Sequence, residues 1–258
     1  MIIVEKSFIN FMLEFFARVI SHQIKLNTEK GVSHMRIVLR IGGSVIASPL
    51  NPELINEYAD LLVNLKRHGH EIAVVVGGGK LAREFIKVAE NLRLDEKAQD
   101  EMAISVSRIF AQLLLKKLGE FSCEGVPLKV EDAVRCLRKG KIAVMGGLKP
   151  GMTTDTVAAL ISERVNANLL IKATNQEGVY DKDPAKYADA VKFDHLKFED
   201  LSEVFAEDKH KAGIHQIIDP EAVKILKRKR VRVVVVNGFK PENVLAVVEG
   251  KSVGTLID

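Results

Sequence analysis

The chain has 258 residues, 47% hydrophobic and 28% charged, enough for one large α/β domain or two small ones with a real core. A net charge of +4 calls for neither nucleic acid nor an anionic membrane as partner. Cys123 and Cys136 make no disulfide framework and no zinc site, and the seven histidines lack ligand spacing. The sequence therefore predicts no metal site and a reducing, cytoplasmic location.

The first 34 residues differ from the rest. Phe8, Phe11, Phe15 and Phe16 are four of the eleven phenylalanines, and residues 7–20 are apolar with helical spacing. Glu14 and Arg18 interrupt the run, which is too short and too charged to span a bilayer and lacks a signal-peptide cleavage site. Residues 26–34 read as a linker. The division expected is an N-terminal extension over 1–34, amphipathic or disordered, and a folded domain over 35–258.

From residue 35 strands alternate with helices. Continuous apolar runs at 36–41, 72–76, 142–145, 169–173 and 231–236 predict strands covered on both faces. Helical patterns lie at 52–67, 80–92, 96–118, 131–138, 154–166 and 219–229, and short edge strands are expected near 126–129, 191–193 and 253–257. This order predicts a mostly parallel sheet with helices on both sides. His68 and His70 flank Gly69 in what reads as a solvated turn. The basic run Lys224, Lys227, Arg228, Lys229, Arg230 and Arg232 ends a helix, where cations suit the dipole, and no aromatic residues are interleaved for base stacking.

Three strands end in glycine turns: Ile41-Gly42-Gly43-Ser44, Val76-Gly77-Gly78-Gly79-Lys80 and Met145-Gly146-Gly147-Leu148-Lys149-Pro150-Gly151. Glycine lets backbone amides approach a ligand, and in a parallel sheet such turns lie at the carboxyl ends of strands, where ligands bind. Each turn alone is equally a tight strand–helix connection. Three of them, with hydroxyls from Ser44, Thr153 and Thr154 beside them, point to a site for several phosphates. A Walker A loop fails, because Val74 stands at its first glycine and Leu81 follows Lys80. The dinucleotide fingerprint fits at 77–82, but a helical pattern occupies the place of its ribose-binding acid.

These turns, with Thr174-Asn175-Gln176-Glu177-Gly178-Val179-Tyr180 and Asp181-Lys182-Asp183-Pro184, resemble the amino-acid-kinase superfamily, and within it the archaeal-type uridylate kinases. The resemblance runs from Met35 to Asp258 and implies a three-layer α/β/α sandwich with a mainly parallel central sheet. It implies Mg-ATP and UMP as substrates, UDP as product in pyrimidine nucleotide synthesis, and a homo-oligomer, commonly a hexamer. By the same resemblance Gly43, Ser44, Gly79 and Arg83 surround the ATP phosphates, and Thr174, Asn175, Tyr180 and Asp183 hold its nucleoside end. Gly78, Asp100, Leu148, Lys149, Pro150, Gly151, Met152, Thr153 and Thr154 hold UMP. Tyr180 and Asp183-Pro184 read without their neighbours are a packed aromatic and a plain turn.

Phosphoryl transfer asks for positioning and charge neutralisation, with no general base needed when the acceptor is a phosphate. Arg40 stands where many relatives carry a lysine, and its strand alternation puts it on the side of Gly42. It serves either the transferring group or a structural ion pair on the sheet rim. Asp155 either orders the cationic groups or is a first-turn acid that suits the helix dipole. Isopentenyl phosphate kinase and acetylglutamate kinase are rival readings. The former carries a histidine after its second glycine turn, and the stretch Lys80-Leu81-Ala82-Arg83 has none. A nucleotide-binding protein without turnover and, beyond it, a nicotinamide oxidoreductase complete the alternatives.

Overall fold

Each long strand forms where β-branched and apolar residues run without interruption, and each is buried on both faces. The computed structural model describes residues 34–47, 50–201 and 217–258, so the expectations for residues 1–33 lie outside it. Nine strands are present among the described residues: β1 (Arg36–Ile41), β2 (Glu71–Val76), β3 (Ala143–Met145), β4 (Leu169–Thr174), β5 (Val179–Tyr180), β6 (Lys192–Phe193), β7 (His195–Leu196), β8 (Arg232–Asn237) and β9 (Thr255–Ile257). The helices are α1 (Gly43–Ile46), α2 (Pro52–Arg67), α3 (Gly79–Asn91), α4 (Glu96–Leu118), α5 (Val130–Arg138), α6 (Thr154–Val165), α7 (Pro220–Lys229) and α8 (Glu242–Val248).

Seven strands make one sheet in the order β3-β2-β1-β4-β8-β9-β7, while β5 and β6 pair separately as an antiparallel ribbon. From β3 through β8 every pairing is parallel. Strand β9 runs antiparallel to β8, and β7 runs parallel to β9. Because side chains alternate across a strand, Ile37, Leu39 and Ile41 join Val74 and Val76 on one face, packed with Tyr58 and Leu62 of α2 and Leu114 of α4. Val38, Val75 and Leu170 face the other way, onto Cys136 of α5, Val157 and Ile161 of α6 and Leu226 of α7. The result is the expected α/β/α sandwich. Each fully buried Leu, Ile or Val contributes roughly 1.5–3 kcal/mol.

Local chemistry starts the helices. Asn51, Asp95, Thr153 and Asp219 cap α2, α4, α6 and α7, each accepting a backbone N–H from the first turn, and Pro52 and Pro220 open their helices with φ already set.

Several expectations need correction. Residues 126–129 are not a strand; the far edge is β7, two residues that hydrogen-bond only because β9 lies beside them. His68 and Gly69 do form an exposed turn, but His70 is 1% exposed, and its Nδ1 lies 3.3 Å from the Met35 nitrogen, so it is buried beside the starts of β1 and β2. Cys123 and Cys136 form a disulfide with Cα atoms 5.9 Å apart. The bridge between Ser122 and Ile142 brings the loop before α5 alongside the start of β3, and both sulfurs reach the Ile142 carbonyl. The basic end of α7 is tied by ion pairs, Arg228 to Glu163 at 2.8 Å and Lys227 to Glu199 at 2.7 Å.

Candidate active site

The chain lays down β1, β2 and β3 outward in one direction, then returns to the other side of β1 with β4 and β8. The switch point is thus between β1 and β4, and a crevice opens at their carboxyl ends. A cavity of about 630 Å³ occupies it. Of the residues expected at the nucleotide, Ser44, Arg83, Thr174, Asn175, Tyr180 and Asp183 line this cavity, together with Arg40 and Asp155. Lys172, Gln176, Gly178, Lys182, Pro184 and Ile217 complete the wall.

The first two glycine turns are locked together beside the cavity. A Cβ on Gly43 would lie 1.9 Å from the Gly79 nitrogen, and one on Gly77 would lie 2.9 Å from the Gly43 nitrogen. Only glycine lets these two backbones approach so closely, and the approach gathers amides from β1 and β2 in one place. The third turn is different. A Cβ on Gly146 would meet the Arg108 nitrogen at 2.7 Å, so this glycine is required by packing on α4.

A charged cluster forms the inner end of the cavity. Arg40 on β1 and Lys172 on β4 are register partners, and both project to the α6 side of the sheet. Asp155, in the first turn of α6, stands between them. Arg40 Nε lies 2.8 Å from Asp155 Oδ1 without an aligned hydrogen bond, and Arg40 Nη2 donates to Thr154 Oγ1 at 3.0 Å. Lys172 Nζ donates to Asp155 Oδ2. Burial works against the Asp155 carboxylate, but Arg40 and Lys172 outweigh it and hold its pKa below the usual carboxylate value. Burial pushes Lys172 down to about 8, with Asp155 opposing and Arg40 adding to the shift. Asp219, the cap of α7, accepts hydrogen bonds from the hydroxyls of Thr153 and Thr156 and so joins the start of α7 to the start of α6. Arg40 makes an ion pair, as one of its two readings expected, and the partner is a residue of the cavity wall.

The predicted acceptor segment is held from α4. Ser107 Oγ accepts the Gly147 N–H at 2.8 Å, and Arg108 donates to the Gly147 and Leu148 carbonyls at 3.0 and 2.8 Å. Asp100 Oδ2 accepts the Gly151 N–H at 2.6 Å. The side chains of Leu148, Lys149 and Met152 line a separate groove of about 870 Å³ beside α5 and α6. Pro150 is half-buried, and Gly78 sits in the second turn, where a Cβ would meet that of Ala82 at 2.5 Å.

The sequence profile of the Amino acid kinase family matches residues 35–237, which carry every strand of this sheet but β9, both interlocked turns and the charged cluster. The chain belongs to the amino acid kinase family. The uridylate kinase of Methanocaldococcus jannaschii is 45% identical over 226 residues, covering 87% of this chain and all of that protein. That of Methanothermobacter thermautotrophicus is 40% identical, covering 86% and 99%. The crystal structure of uridylate kinase from Archaeoglobus fulgidus superposes with a TM-score of 0.78 at 37% identity, covering 87% of this chain and all of that one.

Within this amino acid kinase, three site residues escaped the sequence reading. Lys172 was absorbed into an apolar strand, although a lysine in the middle of a run buried on both faces is itself a signal. Asp219 before Pro220 read as a helix start, which hid its second role toward Thr153 and Thr156. Arg108 sits mid-helix, and nothing local in sequence marks it as the clamp on residues 147–148.

Proposed function

We propose that the protein transfers the γ-phosphoryl group of Mg-ATP to UMP, giving UDP and ADP, a step in pyrimidine nucleotide synthesis. The observation that carries this reading is the cluster of Arg40, Asp155 and Lys172 beside the interlocked Gly43–Gly79 turns, in a chain similar to uridylate kinases over their whole length. In this reading Gly43, Ser44, Gly79 and Arg83 surround the ATP phosphates, and Thr174, Asn175, Tyr180 and Asp183 hold the nucleoside. Gly78, Asp100 and the segment Leu148, Lys149, Pro150, Gly151, Met152, Thr153 and Thr154 hold UMP. Thr154 is hydrogen-bonded to Arg40, so the acceptor segment and the charged cluster share a side chain. Mg²⁺ enters with the nucleotide.

The chemistry needs no general base, since the nucleophile is an anionic phosphate oxygen. Arg40 and the turn amides offset the charge that gathers when two phosphates meet, and Asp155 keeps Arg40 extended toward that point. Assay of nucleoside monophosphates and small phosphates with Mg-ATP tests the reading. UMP is expected to turn over far better than CMP or AMP. Turnover of isopentenyl phosphate alone would replace it with that rival activity.

We also propose a homo-oligomer, with the hexamer expected by family resemblance. Leu81, Phe85 and Val88 are exposed at helical spacing on α3, followed by Leu92 at its end, and Met102, Ile109 and Leu113 are exposed on α4, apolar surface suited to a second copy. Light scattering of Phe85→Glu against the parent tests it. ATP and UMP are cytoplasmic nucleotides, which supports that location, and no helix among the described residues is long and apolar enough to cross a membrane. For residues 1–34 the reading is an extension that the kinase domain over 35–258 does not need, supported by a family match that begins at residue 35. Its deletion should leave turnover and oligomeric state unchanged.

A further inference from the structure

Lys172 is 6% exposed, a lysine placed inside a sheet. Such burial costs free energy unless charge or hydrogen bonding returns it. Asp155 takes one of its three N–H donors, and among the described residues no other hydrogen bond to the ammonium is seen. Asp155 is also shared with Arg40, so one carboxylate serves two cations. The other acid facing them, Asp219, is occupied by Thr153, Thr156 and the first amides of α7, and makes no ion pair with Lys172. Lys172 therefore stands on the cavity wall with positive charge and donors in excess of what its neighbours use.

We propose that Lys172 is a second cation of the transfer centre, which engages the nucleotide phosphates and stabilises the phosphoryl group as it passes to the acceptor. The proposal rests on the kinase reading above and assigns to β4 a charge that complements Arg40 from the neighbouring strand. Four charged groups face one another here: Arg40 from β1, Lys172 from β4, Asp155 from α6 and Asp219 from α7. An anion added to this set favours the charged amine, so its pKa rises from about 8 and binding draws in a proton.

Calorimetry of Mg-ATP binding at pH 8, in buffers of different ionisation enthalpy and without acceptor, reads that proton directly. The wild type is expected to take up as much as about half a proton, and Lys172→Met none. Turnover adds a second readout: Lys172→Met should lower kcat about 100-fold, and Lys172→Arg should recover part of it. Equal proton uptake by wild type and Lys172→Met overturns the proposal, as does a folded Lys172→Met enzyme with kcat within about threefold of the parent. The wild-type measurement needs no variant to fold. Wild type inactive on UMP yet drawing in the proton would sink the UMP reading and leave this one standing.

Discussion

Gly43 and Gly79 touch through their backbones. A Cβ on Gly43 would lie 1.9 Å from the Gly79 nitrogen and 2.5 Å from its Cα, with the Gly77 carbonyl carbon at 2.7 Å. All three atoms are main chain at the ends of buried strands, so no side chain can swing aside to make room. Gly43→Ala must push the first turn away from the second, at a cost of about 1–3 kcal/mol. It should lower the melting temperature and weaken ATP binding by more than that loss alone explains. An alanine variant with parental ATP affinity would remove the turns from the phosphate site.

Arg40 and Asp155 should behave differently on substitution. Loss of one preorganised donor in Arg40→Ala should lower kcat and kcat/KM together by about 2–4 kcal/mol, with Arg40→Lys recovering part. Asp155→Ala leaves the buried Lys172 without its ion-pair partner, beside the Arg40 cation, and should destabilise the fold by about 3–5 kcal/mol. Paired steady-state kinetics and urea melts separate the two effects. Normal kcat in Arg40→Ala would assign that residue to structure.

Among the described residues the Arg108 side chain hydrogen-bonds to backbone, the carbonyls of Gly147 and Leu148. Arg108→Lys keeps the charge but not the planar fork that spans both. It should raise KM for UMP severalfold while leaving KM for ATP unchanged. Equal changes in both constants would mean a general loosening of α4.

Tyr58 is fully buried, and its hydroxyl donates to the Gly238 carbonyl at 2.8 Å. Burial raises its pKa far above the ordinary 10. Gly238 N–H in turn donates to the Thr174 carbonyl, so the bond supports the loop beside the cavity. Tyr58→Phe removes the donor and leaves a buried acceptor, costing about 1–3 kcal/mol of stability. Denaturant midpoints at constant m-value would measure it.

Lys172 also gives a stability signature in the absence of nucleotide. Its pKa falls from 10.5 in the unfolded chain to about 8 in the fold, so between these values the unfolded chain binds more protons. Stability from this group therefore rises with pH from about 8 to 10.5, and Lys172→Met should flatten that rise. Asp155, with a lowered pKa, acts at the other end: its contribution is present above 3.8 and lost as pH falls through its folded value. Urea midpoints across pH test both directions.

Strands β1, β2, β3, β4 and β8 were legible because burial on both faces demands uninterrupted apolar runs, and the long helices between them carry a 3.6-residue pattern, with a polar cap on α2, α4, α6 and α7. The same logic failed for β5 and β7, two-residue strands with no pattern of their own that exist only because β6 and β9 lie alongside. His70 and the cysteine pair were misread for a related reason: burial and thiol proximity come from chain segments that meet only on folding.

The glycine turns, Arg40, Asp155 and the Thr174–Asp183 stretch stand out in the chain as motifs, because phosphate recognition relies on short backbone patterns. The sharing of Asp155 by Arg40 and Lys172 could not be read there. It depends on the register of β1 against β4, and on the start of α6 being carried across their ends, 114 residues after Arg40 in the chain. The same holds for Arg108 and residues 147–148, and for Gly43 and Gly79. Local sequence sets where the polar and flexible residues fall along each element; only the packing of sheet and helices decides which of them share a charge, a hydrogen bond or a van der Waals contact.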